Sequence, residues 1–242
     1  IVAGIVNAGA AGDVTLNSAG TITDGTGKIT ADVLTADATG AMTLDTAVAT
    51  LDASVTGAGG MVVVETDAID LLDVDTANGA ITVTAGGPIT ATDVASLTDN
   101  DANDISLTGV GIAVGTIAAG AGAAADVALN AGTGAINQTG GDLTAQSLLF
   151  NAGGAVVLTS AGNDLDTVSG TAASLTINDI DALDLGALTI ANNLSVTAQA
   201  GDITDSGVIL VGGNTVFSVA AVNSILLDEA SAFTGTVTLP AA

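Results

Sequence analysis

The chain has 242 residues and a formal net charge of −25, with 26 acidic residues set against one basic side chain, Lys28, and no His, Cys, Trp or Tyr. That balance repels nucleic-acid phosphates and anionic lipid headgroups and leaves no basic patch to release counterions, so nucleic acid and the membrane surface are excluded as partners. With 48% of residues apolar, mostly Ala, Val, Ile and Leu, the chain is too hydrophobic for a disordered acidic polymer and must bury that surface in a core.

Taken in chain order, the elements are short. Val14-Thr15-Leu16, Met42-Thr43-Leu44, Ile81-Thr82-Val83, Ile105-Ser106-Leu107, Val127-Ala128-Leu129 and Leu194-Ser195-Val196 alternate an aliphatic residue with a small or polar one. Gly, Asn and Asp separate such runs, so they predict strands joined by tight turns. The nearest helical candidate, Ala118 to Ala125, contains Gly120 and Gly122; each costs a helix interior about 1 kcal/mol, and the stretch reads as a small-residue loop or corner. Asn17, Asn130, Asn151, Asn163, Asn178 and Asn193 read as turn residues suited to the left-handed region. Polar residues interrupt every apolar run within about a dozen positions, short of a spanning helix, and the aromatic girdles of a membrane barrel are missing; direct membrane insertion is not expected. The start at Ile1, without a signal-like segment, reads as a processed or excised piece.

Self-similarity is the strongest signal. Asp13-Val14-Thr15-Leu16-Asn17 matches Asp126-Val127-Ala128-Leu129-Asn130 at an offset of 113, and Ala68-Ile69-Asp70-Leu71 matches Ala182-Leu183-Asp184-Leu185 at 114. This divides the chain into a first repeat unit over 1–113, a second over 114–227 and the start of a third over 228–242, all in one continuous solenoid. Strand openings every 8 to 12 residues suggest coils of about 20 to 25 residues. The fold class expected is therefore all-β: a right-handed parallel β-helix, or β-solenoid, of roughly 10 to 12 coils, about 50 to 60 Å long at the spacing of hydrogen-bonded strands. A β-sandwich array is the rival, disfavoured because a sandwich core normally uses large aromatics.

The segments Gly12-Asp13-Val14-Thr15-Leu16, Gly79-Ala80-Ile81-Thr82-Val83, Ala200-Gly201-Asp202-Ile203-Thr204 and Ala232-Phe233-Thr234-Gly235-Thr236-Val237 resemble the repeat regions of filamentous-haemagglutinin-type bacterial adhesins and related giant β-strand-repeat surface proteins. The likeness covers most of the chain through short, degenerate motifs. It implies the shaft of an exported fibre, at the cell surface or outside the cell. The Asn-Pro motif of that family's secretion domain is absent; the only prolines are Pro88 and Pro240.

Catalysis is not expected. Nucleophilic triads need His or Cys, and glycoside hydrolysis by pairs such as Asp73 and Asp75, Asp99 and Asp101, or Asp164 and Asp166 would lack Trp or Tyr for a sugar platform. No cofactor is required. Calcium is the one candidate ligand: Asp99-Asn100-Asp101-Ala102-Asn103-Asp104 is the densest run of oxygen donors, with Asp99, Asp101, Asn103 and Asp104 as candidate ligands, although the Gly and distal Glu of an EF-hand loop are missing. The functional expectation is a structural segment of an extracellular surface fibre or adhesin stalk, acting in extension and end-to-end assembly, with other copies or neighbouring repeats as partners and any host or carbohydrate ligand unspecified. A calcium-dependent surface-layer or matrix protein is the alternative, and a carbohydrate-active β-helix the second.

Overall fold

The computed structural model describes residues 1–120 and 124–239. Within them, 25 strands pair in parallel into a single continuous sheet that coils through about 12 turns, with no helix. The fold is a parallel β-solenoid. Parallel strands need a crossover, and here each crossover is the rest of the turn itself: the chain runs along three walls and then meets its own preceding turn in register.

The walls follow directly from the alternation. On the first wall one inward row runs Ile22, Met42, Met61, Ile81, Ile105, Val127, Leu148, Val168 and Leu185, each paired with the next. A second wall stacks Ile69, Ile89, Ile112, Ile136, Val156, Leu175 and Leu194. The third carries smaller residues early in the chain, Ala36, Ala53, Val74 and Val94, before Ile117 and Leu143. Because side chains alternate across a strand, one buried row fixes the outward set as well. A turn takes between 17 residues, from Val168 to Leu185, and 26, from Ile117 to Leu143. Most of the extra length goes into corners, while register shifts inside strands occur at Leu51–Asp52, Val55–Ala58 and Val168–Gly170.

The interior is a single aliphatic column. Phe150 and Phe217 are the only fully buried aromatics, and each needs a local accommodation. Phe150 pairs with Gly170, whose φ is 143° and whose Cβ, if present, would overlap the Phe150 carbonyl; the register shifts just before it. Phe217 meets Phe233 of the next turn edge to face, with ring centroids 6.0 Å apart.

The Asn backbones differ from the turn reading, although Asn130 Oδ1 does accept the Gly132 N–H of its own loop at 3.2 Å. No non-glycine residue among those described has a positive φ. Asn17, Asn130, Asn151 and Asn178 lie within strands, and Asn163 and Asn193 directly precede strands. Stacking supplies what an isolated turn lacks, a polar partner one turn away. Thus Asn151 Nδ2 donates to Asn130 Oδ1 at 3.1 Å, and Thr171 Oγ1 donates to Asn151 Oδ1 at 2.9 Å. Ala118 and Ala119 end a strand and Gly120 follows with φ 75°; the rest of that small-residue stretch, at 121–123, lies outside the described residues.

Motifs related by the 113-residue offset fall on different walls. Leu16 pairs with Ala36 and, through it, with Ala53 of the third wall, whereas Val127 sits between Ile105 and Leu148 on the first. Similarity at that offset is a likeness of strand sequence and not of place in the stack.

Candidate functional site

The candidate calcium residues do not converge. Asn103 is buried, and its Nδ2 donates to Asn78 Oδ1 and to the Thr98 carbonyl, both at 2.9 Å, so it staples the corner to the preceding turn. Asp104 Oδ1 accepts the Asp126 N–H of the following turn at 3.0 Å, and Asp99 Oδ1 accepts the Ala124 N–H at 3.1 Å. Asp101 is exposed. Among the described residues no three acidic groups form a set that could hold a metal ion.

The acidic pairs weighed for hydrolysis lie on the outside of the stack. Asp52 pairs in register with Asp73, and Ser54 with Asp75, whose Oδ1 accepts the Ser54 hydroxyl at 2.9 Å. Burial, followed by the charges of Asp73, Asp37 and Asp75, pushes the Asp52 carboxyl up from its ordinary value; burial, followed by Asp73 and Asp75, does the same for Asp93. On a later turn, burial with Asp181 and Asp166 raises Asp164. These are carboxylates crowded by the pitch of the stack, about 4.8 Å per turn. No aromatic platform faces them, since Phe150 and Phe217 are buried and Phe233 packs on Phe217. Lys28 is already committed: its Nζ lies 2.9 Å from Asp45 Oδ1 and donates to Thr66 Oγ1 at 2.5 Å. A shallow groove of about 470 Å³ on the first wall has the exposed Leu149 and the acids Asp104 and Asp126 among its lining; Asp126 Oδ1 is itself bonded by the Ser147 hydroxyl at 2.7 Å.

A second set of polar groups, absent from the sequence reading, lies inside. Asp24, Glu65, Asp179 and Asp205 are all buried. Each occupies the last inward position of a wall strand or directly follows it, and each accepts backbone N–H groups at a corner. Glu65 Oε1 takes those of Thr66 and Asp67 while its Oε2 takes that of Val48 from the turn before. Asp24 takes Asp45 N–H and Asp205 takes Asp228 N–H, both from the turn after. Asp179 takes Leu165 N–H at 3.0 Å and Asp181 N–H at 3.1 Å. Neutral side chains do similar work: Asn163 Oδ1 accepts Leu143 N–H and Gln138 Nε2, and its Nδ2 returns a bond to Gln138 Oε1. The signal was in the alternation. Ile22-x-Asp24, Val63-x-Glu65, Ile177-x-Asp179 and Ile203-x-Asp205 each extend an inward row by one step into an acid.

This arrangement of aliphatic rows closed by polar corners recurs from turn to turn, and the comparison with known families reflects it. Residues 102–172 and 171–240 each match a family described as repeats of unknown function (DUF5649). The chain belongs to that family. The first matched segment begins just before Ile105 and ends just after Val168, three turns later on the first wall. The repeat in this family therefore corresponds to about three turns of the solenoid. No curated protein and no solved structure matches the chain.

Proposed function

We propose that the chain is a structural segment of an extracellular bacterial surface fibre or adhesin stalk, whose work is extension and end-to-end assembly without catalysis. The observation that carries this reading is the uninterrupted parallel sheet of 25 strands over one aliphatic column. Among the described residues such a body has a direction and a length but only open, shallow grooves. Its polar side chains join turns, as in the Asn130–Asn151–Thr171 ladder, and its outer acids lie in rows without an aromatic partner and, apart from Asp45 beside Lys28, without a basic one.

The ladder also supplies a mode of assembly. A turn at the end of a stack keeps one set of unpaired N–H and C=O groups on each wall, a template on which a neighbouring repeat or another copy continues the sheet. The adhesin resemblance supports placing this rod at the cell surface, and the acidic walls support a saline or calcium-containing setting in which self-repulsion is screened.

Electron microscopy of the purified protein, with calcium and with chelator, tests the proposal. Rods that lengthen by joining ends, with or without calcium, are expected. Sheets that order only with calcium would replace the stalk by a surface layer, and discrete particles under both conditions would remove the assembly role.

A further inference from the structure

Of the four buried carboxylates, Asp179 is the one enclosed most completely and surrounded by the most unfavourable charge. It has no exposed surface. Through it three successive turns are joined: Oδ1 accepts the N–H of Leu165 from the turn below, Oδ2 accepts that of Asp181 in its own corner, and its carbonyl accepts the N–H of Gln199 from the turn above at 2.9 Å. The elements packed around it bring no cation. The strand Asp164–Ala172 brings Asp164 and Asp166, the corner brings Asp181, and the strand Leu183–Ile190 brings Asp184, which is turned to the hydroxyls of Thr204 and Ser206. Ala155–Leu158 and Leu194–Ala198 bring no titratable side chain. Lys28 is bound to Asp45 many turns away.

We propose that this corner makes the rod pH-responsive: uptake of a proton at Asp179 tightens the joint between its turns in mild acid, and loss of that proton loosens it at neutral pH and above. Two N–H bonds favour the carboxylate, but burial and the facing charges of Asp181 and Asp164 oppose it. Burial is the largest of these effects, and the carboxyl is pushed up to about 7 from the ordinary 3.8. The direction on stability follows. An unfolded chain holds this proton only below about pH 4, whereas the folded chain holds it up to about pH 7, so between those limits the folded state binds more protons and is stabilised as the pH falls. That added stability is lost as the pH rises through about 7. This device goes beyond the stalk reading and does not depend on it.

The test is thermal unfolding of the whole chain from pH 5 to pH 8.5, at low salt and at 1 M salt, for the wild type and for Asp179→Asn. The wild-type Tm is expected to fall as pH rises through about 7, and the fall to persist in 1 M salt, where surface self-repulsion is screened. In Asp179→Asn the persistent part should vanish, whatever its absolute Tm. A site-resolved carboxyl ¹³C titration of the folded wild type gives the same answer without a variant, with a midpoint expected near 7. A Tm that is flat or rises with pH, a fall abolished by salt, or a midpoint in the ordinary carboxylate range would each overturn the proposal.

Discussion

At the residue scale the structure turns on what stands at the inward positions of a wall strand. Most are aliphatic and interchangeable in kind, so their individual cost follows volume. Leu107 is fully buried between Val83 and Leu129, and Leu107→Ala should lower the unfolding free energy by about 3 kcal/mol, read from denaturant melts. The last inward position is different, because a corner leaves backbone N–H groups that the ladder does not pair. Asn163 serves two turns at once, and Asn163→Ala should cost about 2 kcal/mol because it strands Leu143 N–H and removes one of the two bonds at each end of the Gln138 amide; Asn17→Ala, at an exposed position, should cost less than about 0.5 kcal/mol. Gly170 is fixed for a third reason. Its positive φ and its contact with the Phe150 backbone leave no room for a methyl, so Gly170→Ala should destabilise by more than about 1 kcal/mol, while the companion Phe150→Leu should restore little, since the overlap is with a carbonyl and not with the ring alone.

At the scale of the element, the strands were legible and their partners were only half so. Alternation in Ile81-Thr82-Val83 or Leu194-Ser195-Val196 identifies a strand and its buried face from the sequence alone. Which strand it meets depends on corner length, which varies between turns and leaves no periodic trace, and that is why the clearest sequence offset joins residues on different walls. The Asn residues show the same limit. Their side chains suit a turn, but in a stack the nearest acceptor belongs to the turn above or below, and extended backbone reaches it. Buried acids are readable by parity, but an acid in an acidic chain reads as surface. The calcium residues show the converse: a dense donor run in sequence becomes, once coiled, a set of side chains each bonded to a different neighbour.

Register also stacks charge. Asp52 and Asp73 face one another across about 5 Å, where two carboxylates repel by roughly 0.8 kcal/mol even at the dielectric of water. Asp73→Asn should therefore raise the melting temperature in low salt, and the gain should shrink toward zero in 1 M salt; an equal gain in both would assign it to packing and not to charge.

At the scale of the whole molecule, the rod is a sum of nearest-neighbour contacts between turns, so its stability grows with each turn added and no single site organises it. About 12 turns at about 4.8 Å each give a length near 55 Å. A shaft built this way lengthens without thickening, because every new turn meets only the one before it. Small-angle scattering over a concentration series measures length and cross-section separately. If the chain is a stalk segment that continues its ladder end to end, the cross-section stays constant while the length grows in steps of about 55 Å as concentration rises; a cross-section that widens, or a length that stays at one unit at every concentration, would contradict it.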